Sequence, residues 1–254
     1  MIPIKMPYPK EISIIGLAFA ILVVGTAHLH GQSVFGSSAS QSDINVLTLD
    51  YANGDVEMVG TNDAEIRNGL DNQGWWSPTR ANTASNTNYL TGVSNGYDFN
   101  SFFVFALGNA YDPDAQVVSA TLSFVDPGNS GIPPAADLSI WDVTTPIDTL
   151  VDTVGTSQTI YNDLGSGILY GSTVVGASST QNIQVNLDAA AIDAINNEFV
   201  GITQGDSDYF AVGASLTPAV STPDSSSTAI LLALGALALA WKRRMGVRPT
   251  GASA

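Results

Sequence analysis

Gln116-Val117-Val118-Ser119-Ala120-Thr121-Leu122-Ser123-Phe124-Val125 is the stretch on which the fold turns. Val117, Ser119, Thr121 and Ser123 alternate with Val118, Ala120, Leu122 and Phe124. That period of two sends one row of side chains into a core and the other to solvent, which predicts a strand with one buried face. Asp126-Pro127-Gly128-Asn129 follows as a run of turn formers and ends it.

The same punctuation recurs outward from this strand. Phe102 to Leu107 is a continuous apolar run, suited to a strand buried on both faces. Leu138 to Val143 alternates again; Ile44 to Leu49, Ile168 to Val175, Ile183 to Leu187, Phe199 to Thr203 and Tyr209 to Leu216 are further strand candidates. Asn53-Gly54-Asp55 reads as a turn, and Asp71 to Gly96, rich in Asn, Thr and Gly, reads as long loops with room for one short strand. One helix is expected where Asn186 or Asp188 can cap Ala189-Ala190-Ala191 and where Leu187, Ala191, Ile192 and Ile195 recur at helical spacing, ending at Asn196 or Asn197. Seven to nine short strands and one small helix predict an all-β fold, an antiparallel, jelly-roll-like β-sandwich with terminal hydrophobic helices. No repeat of fixed period is visible, which argues against a solenoid or propeller.

Charge is distributed unevenly. Of the eight basic residues, Lys5, Lys10, Lys242, Arg243, Arg244 and Arg248 lie in the two terminal segments. Between Gln32 and Pro223 only Arg67 and Arg80 face 21 acidic residues, a balance of −19. Such a body repels phosphate backbones and anionic lipid, so nucleic acid is not an expected partner. The chain has no cysteine, which removes disulfides, thiolate nucleophiles and zinc–thiolate sites.

The ends carry address signals. Lys5 and Lys10 precede a sixteen-residue apolar run from Ile12 to Ala27, and Gly25-Thr26-Ala27 offers the small residues a signal peptidase requires. Residues 1–31 are therefore read as a secretory signal, cut after Ala27 or near Gly31, followed by a loose leader over 32–42. Residues 43–217 form the β-sandwich domain, and 218–228 are a linker. Ala229 to Trp241 is a thirteen-residue apolar segment, and Lys242-Arg243-Arg244 closes 229–244 as a membrane stop ahead of a cytoplasmic tail, 245–254. Thirteen residues make a helix of about 20 Å against a hydrocarbon core of about 30 Å, so the segment is built to hold the chain in the membrane only briefly.

Thr222-Pro223-Asp224-Ser225-Ser226-Ser227-Thr228, the Leu/Ala/Gly run and Lys242-Arg243-Arg244 together resemble the C-terminal sorting signals of bacterial PEP-CTERM proteins, nearest the Val-Pro-Asp-Ser-Gly variant, with Thr222 in place of Val and Ser226 in place of Gly. The resemblance implies processing by an exosortase, a membrane cysteine peptidase of Gram-negative exopolysaccharide producers, with Pro223, Asp224 and Ser225 as the recognition motif. Phe102–Leu107, Val117–Phe124 and Leu138–Val143, in that order, resemble the secreted β-sandwich modules that accompany such tails, including DNRLRE-type domains. That resemblance implies a structural or adhesive role at the cell surface.

Catalysis has little to work with. The only histidines, His28 and His30, lie at the expected cleavage point, so neither a Ser/His/Asp triad nor a histidine metal site is available to the body. Asp137 and Asp142 flank Trp141, but five residues apart on a regular strand they fall on opposite faces. No enzyme activity and no obligatory cofactor are expected. Calcium is the one metal the loops suggest, through Asp112-Pro113-Asp114, Asp126 and Asp206-Ser207-Asp208, although Asp in such positions also serves turns. Trp75-Trp76, in a loop opened by Asp71-Asn72-Gln73-Gly74 with Tyr89 and Tyr97 further on, could offer ring faces to a sugar; paired tryptophans also commonly cap a core. The expectation is a non-catalytic secreted protein, transiently membrane-anchored and then placed in the envelope or extracellular matrix, meeting signal peptidase, an exosortase-type peptidase and exopolysaccharide. The alternative is a carbohydrate-binding module displayed at the surface.

Overall fold

The structure is a computed structural model that describes residues 33–36, 45–62, 72–83, 86–124, 136–176, 182–204 and 208–218. By its contacts the chain divides into a unit ending at Pro218 and a second, Ala219–Ala254, which lies outside the described residues. Among the described residues eleven strands run in chain order: β1 Ser33–Gly36, β2 Val46–Tyr51, β3 Val56–Gly60, β4 Gln73–Trp76, β5 Leu90–Ser94, β6 Tyr97–Ala106, β7 Val117–Phe124, β8 Ala136–Asp142, β9 Leu169–Val175, β10 Ile183–Asn186 and β11 Tyr209–Pro218. Three α-helices among the described residues join them, α1 Ile147–Asp152, α2 Gln158–Asp163 and α3 Ala189–Gln204, with one short 3-10 turn at Gly108–Ala110. The all-β expectation holds, with more strands and helices than the sequence announced.

Among the described residues every strand pairing is antiparallel. One sheet has the order β1-β5-β6-β11-β8-β9, with β4 also on β6, and the other the order β10-β7-β2-β3. Between them lies a core that includes Leu47, Leu49, Phe103, Phe105, Leu122, Phe124, Leu138, Ile140 and Val212, all buried. Phe124 meets Phe35 and Phe103 edge-on, at ring separations of 5.3 and 5.1 Å. Each such large side chain contributes about 1.5–3 kcal/mol by leaving water.

The continuous apolar run in β6 is buried on both faces, as its sequence required. Phe103 and Phe105 point into the inter-sheet core. Phe102 and Val104 pack on the other side against Trp76, Leu150, Val151, Ile160 and Leu164, so α1 and α2 form a third layer over the larger sheet. Both short helices were missed in the sequence because six residues each give too few turns for a readable period. Ser157 caps α2 by accepting from the Ile160 N–H at 3.2 Å.

Other expectations need correction. Part of the leader over 32–42 is β1, paired with β5, and its Phe35 is fully buried in the core. Residues Asp71 to Gly96 hold two strands, β4 and β5, and a two-residue Asn95-Gly96 turn into β6. Asn95 and Gly96 both have positive φ, 52° and 79°, the geometry a tight hairpin of twisted strands demands. Phe199 to Thr203 is the last part of α3 and not a strand; Phe199 is buried in the core from that helix. Asp188 caps α3, its Oδ1 accepting from the N–H groups of Ala190 and Ala191 at 2.9 and 3.1 Å. In β7, Ala120, Leu122 and Phe124 face inward as expected, but Val117 is buried while Val118 is 55% exposed. The register explains it: Asp50 pairs with Ser119 and Tyr51 with Val117, so Val118 is the extra residue of a bulge and the faces exchange there.

Candidate functional site

Trp75 and Trp76 stand in β4, a strand buried along its whole length, and not in a loop. Gly74 lets that strand lie close to β6, since a Cβ there would sit 2.8 Å from the Phe102 ring. Trp75 is 8% exposed and meets Phe99 edge-on at 4.9 Å; Trp76 is 1% exposed. The Trp76 indole N–H donates to the Leu150 carbonyl at 3.2 Å, fastening β4 to α1. Neither ring presents a face on which a sugar could stack, so the sugar platform suggested for this pair is corrected: the rings cap a core. Tyr89 is fully buried as well, and Tyr97 lies under the Arg80 guanidinium at 5.4 Å.

Of the candidate calcium residues that are described, Asp112 and Asp114 shape a turn. Asp112 Oδ1 accepts from the Asp114 N–H at 2.8 Å, and its Oδ2 accepts from the Asn53 amide at 3.1 Å. Asp208 gives its backbone carbonyl to the Leu107 N–H at 2.6 Å, and its side chain packs on Gly108, where a Cβ would come within 2.3 Å of Oδ2. Among the described residues no group of three or more His, Cys, Asp or Glu side chains is placed to hold a metal ion. Asp126, Asp206, the Pro223-Asp224-Ser225 motif and Lys242-Arg243-Arg244 lie outside the described residues. Among those described, no helix is long and apolar enough to cross a membrane.

Two grooves on the body were invisible in the sequence because their walls come from distant segments. The larger, about 530 Å³, lies between the Val143–Asp148 segment, α3 and the start of β11, and is lined by Tyr170, Tyr209, Asp148 and Glu198 among others. Its loop wall is held by Asp163, whose carboxylate accepts from Thr144 N–H at 3.1 Å, Thr145 N–H at 2.9 Å and the two hydroxyls at 2.5 and 2.6 Å. Burial pushes the Asp163 carboxyl up, but these four bonds to its charged form outweigh that and hold it below its ordinary range. Tyr170, stacked on Phe210 at 6.0 Å, has its phenol pushed up by burial and then by Asp142, Asp188 and Glu198. The groove thus gathers negative charge and brings Asp148 and Glu198, fifty positions apart, to one cavity.

The second groove, about 390 Å³, runs beside the turn that follows α2 and is lined by Asn100, Tyr161, Asn162, Gly165, Ser166, Ser215, Leu216 and Thr217. Gly165 lies close against this lining: a Cβ there would stand 2.4 Å from Asn100 Nδ2, which would have to shift, and 3.4 Å from Ser215 Cβ. Asn100, 6% exposed, is fixed by donating Nδ2–H to the Tyr161 carbonyl at 2.8 Å. The neighbouring Trp141, half-buried, donates its indole N–H to Ser215 Oγ at 2.8 Å. Every lining side chain is neutral. No protein-family model matches the chain, and no curated protein and no solved structure matches it.

Proposed function

We propose that this chain is a secreted, acidic β-sandwich protein of the cell envelope or extracellular matrix, without catalysis of its own, exported through its N-terminal signal and sorted through its C-terminal label. The observation that carries the reading is the order Pro223-Asp224-Ser225, then Ala229 to Trp241, then Lys242-Arg243-Arg244, following a unit that ends at Pro218. An apolar segment of thirteen residues is too short for a durable span of about 20, and a basic cluster stops its passage, so a peptidase at the outer interface meets the Pro-Asp-Ser motif during the pause. The likeness of this tail to PEP-CTERM signals makes an exosortase-type peptidase the processing enzyme. A body of net charge −19 that keeps away from anionic lipid and nucleic acid supports life outside the membrane after release.

The test is the mass of the mature protein recovered from the cell surface and the medium. The expected product lacks Lys242 to Ala254, and Asp224→Ala leaves the precursor uncut. A steady-state product that retains the basic cluster would overturn the processing and leave a permanently anchored protein.

A further inference from the structure

We propose that the neutral groove beside Trp141 is a binding site for an uncharged sugar. The proposal concerns the folded body and does not depend on how the chain is sorted. Its volume, about 390 Å³, lies within the range of about 300–1,000 Å³ typical of small-ligand sites.

The chemistry of the walls selects the ligand. A sugar ring offers adjacent hydroxyls, each both donor and acceptor, and a patch of C–H bonds. Asn100 and Asn162 bring amides to the lining, and Tyr161, Ser166, Ser215 and Thr217 bring hydroxyls. Some of these atoms already serve the fold: Asn100 Nδ2 donates to the Tyr161 carbonyl, Asn162 Oδ1 accepts from Gln158, Ser166 Oγ donates to the Asn162 carbonyl and Ser215 Oγ accepts from Trp141. An amide with two N–H and two lone pairs, and a hydroxyl with one donor and two lone pairs, each keep capacity for a ligand beyond those bonds. The Tyr161 phenol is pushed up, first by burial and then by Asp98, so it stays protonated and keeps its donor. No lining residue carries a charge and the body around it is strongly acidic, so an anion has no partner here, while the carboxylate that acts on Tyr161, Asp98, lies outside the lining. The ligand that matches neutral, two-way hydrogen-bonding groups is itself neutral and two-way.

The groove is also built before any ligand arrives. Gly213 of β11 lies level with Phe102 on one side and Trp141 on the other, so these three share the outer face of the larger sheet. The Leu164 backbone closes directly over Gly213, which seats the Leu164-Gly165-Ser166 turn as one wall. Ser215, packed against Gly165 of that turn, holds the Trp141 indole in one orientation through its hydrogen bond. Trp141 is not itself in the lining, but it is half-buried and fixed by its N–H to a lining residue, which suits it to pack against the C–H patch of a pyranose that extends past Ser215. Ordered groups of this kind bind without first losing side-chain freedom.

The experiment titrates the full-length chain, purified in a detergent without sugar groups, with neutral β-linked trisaccharides of glucose, galactose and N-acetylglucosamine, followed by calorimetry and tryptophan fluorescence. The expected result is saturable binding of at least one of them, unaffected by added salt, about tenfold weaker in Trp141→Ala and in Asn162→Ala. Asn162 is exposed, so its variant remains informative if Trp141→Ala fails to fold. Asp148→Asn, in the acidic groove, should leave binding unchanged. Absence of saturable binding to all three sugars overturns the proposal. So does binding that survives both groove variants, or binding of an anionic polysaccharide in preference, with affinity that falls as salt rises.

Discussion

Asn196 of α3 and Val117 of β7 exchange two hydrogen bonds: the Val117 N–H donates to Asn196 Oδ1 at 3.0 Å, and Asn196 Nδ2–H donates to the Val117 carbonyl at 3.0 Å. The side-chain amide takes the place a neighbouring strand would occupy and ties the helix to the sheet at the point where β7 begins. Replacing it with alanine leaves a peptide donor and acceptor without these partners in a half-buried position. Asn196→Ala should therefore destabilise the body by about 2 kcal/mol. A lowered urea midpoint at unchanged slope is the expected measurement. An unchanged midpoint would mean that water replaces the amide without loss.

Asp163 predicts an acid-dependent contribution. Its folded carboxyl lies below the ordinary value of 3.8, so its contribution to stability is fully present above pH 3.8 and is lost as pH falls through the folded value. Asp163→Asn should destabilise the protein by only about 1 kcal/mol at neutral pH, because solvent screens part of these bonds. The difference between variant and wild type should shrink below about pH 4. Denaturation midpoints of both proteins at neutral and acid pH check this; a gap that stays constant with pH would assign the effect to packing.

Tyr51 makes the opposite prediction at the alkaline end. Its phenol is pushed up to about 12, by burial and then by Glu57 and Asp112, and its hydroxyl donates to the Ala110 carbonyl. A raised folded value means the contribution is complete below pH 10 and is lost as pH climbs from 10 to about 12. Tyr51→Phe should remove about 1 kcal/mol at neutral pH, and its deficit should disappear across that alkaline window. Phenolate absorbance of wild type minus variant should place one late-titrating group near the top of it.

How much was legible follows from which forces act along the chain and which act across it. The alternation in Ala120, Leu122 and Phe124 and the two-sided burial of β6 were readable because burial imposes a local period. The bulge at Val118 was not, since it is set by the partner strand, where Tyr51 pairs with Val117. The Asn95-Gly96 turn did carry a local signal, the Asn-Gly pair of a tight hairpin, which the polar composition around it obscured. The helix expected to end at Asn196 or Asn197 runs on to Gln204, and the contact of Asn196 with Val117, 79 positions away, leaves no mark in a local pattern. The grooves escaped for the same reason, their walls being assembled from segments that sequence spacing keeps apart. Val118 supplies a test: Val118→Ser, at an exposed bulge, should change stability by no more than about 0.5 kcal/mol. Leu122→Ala, on the same strand but fully buried, should remove about 2–5 kcal/mol. Equal losses at the two positions would contradict the exchange of faces.

Gly213 lies where the helical layer presses hardest on the sheet. A Cβ there would stand 2.5 Å from the Leu164 carbonyl oxygen and 2.7 Å from its Cα, both backbone atoms that no rotamer change can move aside. Gly213→Ala must therefore lift the turn after α2 off β11, an overpacking that should remove about 1–3 kcal/mol. At Gly54, with φ of 93° and nothing within 4 Å, the same substitution meets only backbone strain, of about 1–2 kcal/mol. The two mechanisms separate in a double variant. If the clash at Gly213 is with backbone, trimming the neighbour in Gly213→Ala/Leu164→Ala gives no relief and adds the loss of a buried leucine, another 2–5 kcal/mol or so. A double variant more stable than Leu164→Ala alone would show that the side chain, and not the peptide, sets how closely α2 approaches the sheet.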